Sequence, residues 1–180
     1  STSISVISAM LEASNRNVLV KGGKYLEAVK DADVIVFDKT GTLTNANPQV
    51  QKVTPLNGYS RDEVLRIAAC LEEHFPHSVA NAIVNQAKKE GLVHEEEHAK
   101  EEYIVAHGIA TTLHGLHTVI GSDHFIFEDD GVEKTQELED IITSLEKDGA
   151  GSLIYLAIDN QVAGIISIYD PLKQEAKQVI

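Results

Sequence analysis

The sequence predicts an α/β chain in two parts: a Rossmann-like α/β region, and an inserted α+β domain whose antiparallel sheet is flanked by helices. Three observations predict it. The apolar run Val34-Ile35-Val36-Phe37 ends at Asp38 and opens directly into a polar, Gly-containing turn, as a buried strand does at the edge of an open α/β sheet that carries its chemistry. Helical patterns beginning at Ser60 and Ser78 are followed by short alternating segments with glycines between them. A last hairpin pattern runs into Asp170-Pro171-Leu172-Lys173, where a new helix begins.

Taken in order, Ile4 to Ala13 has mixed helical spacing that ends near Asn15-Arg16-Asn17. Val18-Leu19-Val20 reads as a short strand, Lys21-Gly22-Gly23 as a turn, and Lys24 to Lys30 as one or two helical turns before the strand that ends at Asp38. Beyond the loop at Asn45 to Pro48, Gln49 to Pro55 reads as an outgoing strand closed by a turn at Asn57-Gly58. Ser60 stands three residues before Glu63, the spacing of a capping box, and Val64, Leu65, Ile67, Ala68 and Leu71 keep helical spacing to about Glu73. The next helix starts near Ser78, with serine as a good N-cap, carries Val79, Ala82, Ile83 and Ala87 on one face, and stops at Gly91.

Residues from Leu92 to Lys100 form a charged connector. Tyr103 to Ala106, Ala110 to Leu113 and Thr118 to Ile120 read as paired strands, with Gly108, Gly115 and Gly121 as turns. Glu133 to Lys147 is an amphipathic helix with Leu138, Ile141, Ile142 and Leu145 inward, broken by Gly149-Ala150-Gly151. Leu153 to Ile158 and Val162 to Tyr169 make a hairpin around Asp159-Asn160. The expected organisation is an entry segment over 1–44, an inserted domain over 45–167, and the start of the second half of the α/β region over 168–180.

A chain of 180 residues with 43% hydrophobic content is long enough for one good core or two small ones. Its 15 basic and 28 acidic side chains leave a net charge of −13, which argues against nucleic acid or an anionic membrane surface as partner. Cys70 is the single cysteine, so no disulfide forms within the chain, and it reads as a small buried apolar residue. No stretch approaches the ~18 consecutive apolar residues of a membrane span, and the N-terminal residues lack the basic and apolar regions of a signal peptide. The expectation is a soluble piece in a reducing compartment.

The chemistry centres on Asp38. A carboxylate attacks well only when its target is electrophilic and its charge is screened, which points to a phosphoryl group bridged to the protein by a divalent cation. The hydroxyls of Thr40, Thr42 and Thr44 and the free amides around Gly41 are able to hold phosphate oxygens.

The full run Asp38-Lys39-Thr40-Gly41-Thr42-Leu43-Thr44 resembles the phosphorylation signature of P-type ATPases, within the haloacid dehalogenase-like superfamily. The resemblance implies that ATP phosphorylates Asp38, with Lys39, Thr40 and Thr42 around the phosphoryl group and Mg²⁺ held by Asp38 and the backbone carbonyl of Thr40. Phosphatases of that superfamily carry a second acid two residues after the nucleophile; here that position is Thr40, so the acyl phosphate survives long enough to drive a conformational change. The implied parent is a membrane pump with transmembrane and actuator domains and a transported cation, a transition metal if the class is the heavy-metal one. This piece would lie at the cytoplasmic face. The family's downstream lysine and Asp-rich loop do not occur before Ile180, so phosphoryl transfer by this piece alone is expected to be feeble or absent.

In the heavy-metal class the insertion holds ATP through an upstream Glu, a His-Pro-led helix, a Gly-x-Gly loop and a later Gly-Asn. Glu72, His77 at the head of its helix, Gly108 in Ala106-His107-Gly108 and Gly121 before Ser122 match in part, with His74 as the alternative to His77. Ser78, Ala106 and Ser122 depart from the pattern, and Ala106 would narrow or tilt the pocket. Eight histidines invite a metal reading, but His114 and His117 span a turn, and His94 and His98 flank glutamates in the connector, so neither pair has the setting of a site. The rival readings are a soluble phosphatase or phosphotransferase with a cap domain, a nucleotide- or metal-binding module without catalysis, and a potassium-pump-like member of the family. Thr40 and the intact Asp38 loop stand against the first two, and the residues around His77 against the third.

Overall fold

The computed structural model describes residues 4–92, 103–105, 108–149 and 151–180. It divides into two units, one ending at Asp38 and one beginning at Lys39. The expectations for His94, His98, Ala106 and His107 lie outside the described residues.

The first unit holds helices α1 (Ile4–Asn15) and α2 (Gly23–Lys30), which touch each other but bury no residue. Neither short strand expected here forms. Val18 to Val20 and Val34 to Phe37 have no ladder partner among the described residues, and Val34, Ile35 and Val36 are 77%, 70% and 89% exposed. The physical reason is that an apolar run becomes a strand only when neighbours satisfy its N–H and C=O groups and cover its faces. Asp38 therefore follows an exposed segment that has no ladder partner among the described residues, not a buried strand.

The second unit is built on a six-stranded antiparallel sheet. Its strands are β1 (Gln49–Pro55), β2 (Tyr103–Val105), β3 (Gly108–Leu113), β4 (Leu116–Gly121), β5 (Ser152–Ile158) and β6 (Gln161–Tyr169), in the order β1-β6-β5-β4-β3-β2. Helices α3 (Arg61–Glu72) and α4 (Ser78–Lys89) cover one face, where Val64, Leu65, Leu71 and Ile83 pack with Val53, Ile109, Ile120, Leu156 and Ile166. Helix α5 (Gln136–Lys147) covers the other, where Leu138, Ile142 and Leu145 meet Val119, Tyr155, Ala157 and Ile165. Because both faces are covered, β6 is buried continuously from Val162 to Ile168, a run that is apolar apart from Ser167. The short α6 (Ala176–Val179) follows.

Local chemistry sets the element ends. Ser60 caps α3 with the full reciprocal box: its Oγ accepts from the Glu63 amide, and Glu63 accepts from the Ser60 amide. The β5–β6 hairpin turns on Asp159 and Asn160, both at positive φ (50° and 62°), the twist that two-residue hairpins favour. Three expectations are corrected. Gly108 and Gly121 are not turns: they lie inside β3 and β4 as cross-strand partners. The helix expected from Glu133 begins at Gln136 because Thr135 supplies the cap, its side chain accepting from the Leu138 amide. Between Gly121 and that cap, His124–Asp129 forms a wide turn that no periodicity signalled, and its Phe125 and Ile126 enter the core.

Candidate functional site

The residues singled out by the sequence fall into two settings in the second unit, with Asp38 at the end of the first. Asp38 is exposed. Lys39 opens a tight turn in which Thr40 (φ −76°, ψ 120°) and Gly41 (φ 80°, ψ −16°) take the two central conformations of a type II turn. The second of these favours glycine, because a Cβ at positive φ is strained. Thr40 and Thr42 are exposed, but Thr44 is 3% exposed. Its hydroxyl accepts from the Gly41 amide at 3.1 Å and donates to Asp170 Oδ2 at 2.5 Å, so it is committed within the protein and is not the free phosphate ligand expected of it.

The chain leaving this turn and the chain returning from the sheet run side by side. Asn45 N–H donates to the Pro171 carbonyl at 3.0 Å and Lys173 N–H to the Leu43 carbonyl at 2.9 Å. Asp170 Oδ1 accepts from the Asn47 amide at 3.1 Å, and Lys173 Nζ donates to the Gly41 carbonyl at 2.7 Å.

The second setting is the junction of α3 and α4. Glu72, in the last turn of α3, is 5% exposed, and its Oε2 accepts no hydrogen bond. Burial pushes this carboxyl up to about 7, since the charged form has lost its water. His77 is the N-cap of α4: its Nδ1 accepts from the Ala80 amide at 3.2 Å. That bond places the ring proton on Nε2, which stands 3.3 Å from Glu72 Oε2 without the alignment of a hydrogen bond. The His77 side chain is 57% exposed. Ser78, expected as the cap, is instead the first helical residue, the position where proline is also tolerated.

Gly108 and Gly121 face each other at the end of the β3–β4 ladder. A Cβ built on Gly108 would lie 2.1 Å from Phe125 Cδ1 and 2.6 Å from the Ile120 carbonyl oxygen, so glycine here is required by close packing. Ser122 Oγ accepts from the Phe125 amide, which commits it to the wide turn. The flanking Ile109 and Ile120 belong to the same core as Leu71 and Ile83, so both the glycine pair and the α3–α4 junction border one packed region. Sequence reasoning did not find Phe125, because only tertiary packing brings it beneath Gly108.

Two surface grooves lie beside α5, and none of Glu72, His77, Gly108 or Gly121 is among their lining residues. One is lined by Leu56, Asn57, Glu133, Glu137, Leu138 and Asp159 among others, and among the described residues no lysine or arginine lines it, a poor setting for a polyphosphate. The other includes Lys134, whose Nζ donates to Asp123 at 2.8 Å. His117 Nε2 meets Asp130 Oδ1 at 2.8 Å on the exposed surface. Among the described residues no three or more His, Cys, Asp or Glu gather at metal-binding distance, and no helix is long and apolar enough to cross a membrane.

Residues 32–180 match the family model described as haloacid dehalogenase-like hydrolase. The chain is 34% identical over 168 residues to the cadmium, zinc and cobalt-transporting ATPase of Bacillus subtilis (strain 168), covering 93% of this chain and 22% of that protein. Among solved structures, a zinc-transporting PIB-type ATPase in the E2.Pi state is similar with a TM-score of 0.66 and 30% identity, over 97% of this chain and 28% of that one. The N-domain of HMA8, a copper-transporting P-type ATPase, is similar with a TM-score of 0.56 and 25% identity, over 67% of this chain and 99% of that one. This chain thus spans about a fifth of the length of the curated relatives it matches.

Proposed function

Since the chain belongs to the haloacid dehalogenase-like hydrolase family, we propose that it is the nucleotide-binding and phosphorylation part of a heavy-metal-transporting P-type ATPase. The observation that carries this reading is the junction of α3 and α4, where a buried carboxyl with an unused oxygen adjoins a half-exposed imidazole fixed by its cap. An acceptor beside an aromatic face suits a heteroaromatic base with an exocyclic amine, such as the adenine of ATP or ADP. Gly108 and Gly121 extend this site along the ladder end.

The inserted domain, residues 45–167, grips the base, and the paired linkers at Thr44 and Asp170 let it deliver the triphosphate to the turn after Asp38. A carboxylate oxygen of Asp38 attacks the γ-phosphorus, the bond from that phosphorus to the β-phosphate bridging oxygen breaks, and ADP leaves. Lys39 and the hydroxyls and amides of Thr40 and Thr42 stabilise the transferring group. The donors available at Asp38 and the Thr40 carbonyl are hard oxygens, which fit Mg²⁺ with water and phosphate completing its shell. Mg²⁺ would supply charge neutralisation there. The parent would span a membrane, with this part on its cytoplasmic side, actuator and transmembrane domains as partners, and a transition-metal cation as cargo.

Titration with ATP or ADP tests the base site: amide shifts are expected at Glu72, His77, Gly108 and Gly121, and His77→Gln should weaken binding more than His74→Gln. Shifts confined to the turn after Asp38, or equal effects of the two histidines, would remove the assignment. In the parent, ATP with Mg²⁺ should leave an acid-stable, hydroxylamine-labile label that Asp38→Asn abolishes without loss of nucleotide binding. Label persisting in Asp38→Asn would refute the nucleophile.

A further inference from the structure

We propose that the His77 cap is an acid-released latch on the base site: a proton on the ring uncaps α4 and withdraws the imidazole from the nucleotide. The latch rests on the reading of the α3–α4 junction given above. The two ring nitrogens of His77 have separate tasks. Nδ1 accepts the Ala80 amide at 3.2 Å, satisfying one of the first amides of α4, which have no acceptor within the helix. An accepting nitrogen carries no proton, so the capping ring is neutral and its proton sits on Nε2. In the imidazolium both nitrogens donate, and an Nδ1 proton would point at the Ala80 N–H. Serine, threonine and asparagine caps keep their acceptor across neutral pH, whereas a histidine cap is lost when the ring is charged. The side chain is 57% exposed, so protons from the solvent reach it.

Glu72 sets the order of events. Its Oε2 stands 3.3 Å from Nε2, and among the described residues it is the one carboxyl within ion-pair distance of the ring. Burial makes its charged form costly, so Glu72 takes up a proton as pH falls through about 7. Once neutral, it gives an imidazolium no counter-charge. The other charged groups nearby are engaged or turned away. Glu73 pairs with Lys88 at 3.6 Å, and Arg61 with Glu90 at 2.6 Å. Arg66 lies further back along α3, and His74 in the connection between the helices. Lys52 of β1, the strand that packs against α4, is exposed and alternates with the core residue Val53. Acid therefore neutralises Glu72 first and removes the cap second.

The test is a pH titration of the 180-residue chain followed by NMR. Between about pH 8 and 5, the range in which imidazoles titrate, the His77 ring and the Ala80 amide should shift together with one midpoint. In His77→Asn, whose side chain caps without titrating there, the Ala80 amide should hold its shift. ADP at about ten times its dissociation constant should lower the His77 midpoint by about one pH unit, because a ligand that binds only the neutral form competes with the proton. An Ala80 amide that ignores the titration of the ring, or that titrates in His77→Asn as well, overturns the latch. ADP that shifts no amide at Glu72, His77, Gly108 or Gly121 at the alkaline end removes the base site and the latch with it. ADP that shifts them there but leaves the midpoint in place, or raises it, removes the latch alone.

Discussion

His77 faces Glu72 with one ring nitrogen, Nε2 to Oε2 at 3.3 Å, while the other nitrogen caps α4 through the Ala80 amide. The cap fixes the ring, and the ring places an N–H beside a carboxyl oxygen that accepts no hydrogen bond among the described residues. That oxygen is therefore already stripped of water in the folded chain.

The buried carboxyl makes stability depend on pH. With Glu72 pushed up to about 7 in the folded chain against 4.5 in a solvated one, the folded state binds the extra proton. Its contribution is fully present below pH 4.5 and is lost as pH rises through about 7. The whole shift corresponds to on the order of 3 kcal/mol. Denaturant unfolding of wild type and Glu72→Gln should therefore give curves that diverge across this window, with the variant gaining on wild type as pH rises. Parallel curves would show that Glu72 titrates as a solvated carboxyl.

Gly108→Ala should destabilise the second unit by about 1–3 kcal/mol, the usual cost of overpacking, because the new methyl group meets the Phe125 ring. Combining it with Phe125→Ala should cancel part of that cost in a double-mutant cycle. Nucleotide affinity in the double variant then separates packing from binding: a loss beyond that of Phe125→Ala belongs to the base site, and an equal affinity leaves Gly108 a packing residue alone.

Ser60→Ala and His77→Ala remove comparable caps from adjacent helices. Each should cost about 1 kcal/mol of stability, read as a fall in thermal midpoint. Only His77→Ala should weaken ATP binding, since Ser60 bonds Glu63 at the far end of α3 from Glu72. Equal loss of affinity in both would mean that helix stability, and not the imidazole, is what nucleotide binding senses.

Mutating Thr44 probes the linker from its other side. Thr44→Val keeps shape but deprives Asp170 of a donor and Gly41 of an acceptor. Chemical shifts of Gly41 and Asn47 should move while those of α5 stay, and stability should fall by about 1–3 kcal/mol, since a buried bond to a charged group is lost.

What the sequence determined by itself is what neighbours in the chain determine. The capping box at Ser60 and Glu63, the bounds of β1, the left-handed pair at Asp159 and Asn160 and the motif turn at Gly41 all follow from residues within a few positions of each other. Glu72 and His77 were singled out by resemblance to the family pattern, and the fold sets His77 Nε2 3.3 Å from Glu72 Oε2 at the junction of α3 and α4. The tertiary structure decided the rest. Val34 to Phe37 has the pattern of a buried strand, yet a strand is a property of its partners, and the described residues offer it none. Gly108 reads locally as a turn or a ligand loop, and only the fold brings Phe125 onto it. The burial of Glu72 and the bond between Thr44 and Asp170, 126 positions apart, likewise depend on how distant segments meet. Water removal and long-range hydrogen bonding are set by the packed whole, so no local pattern encodes them.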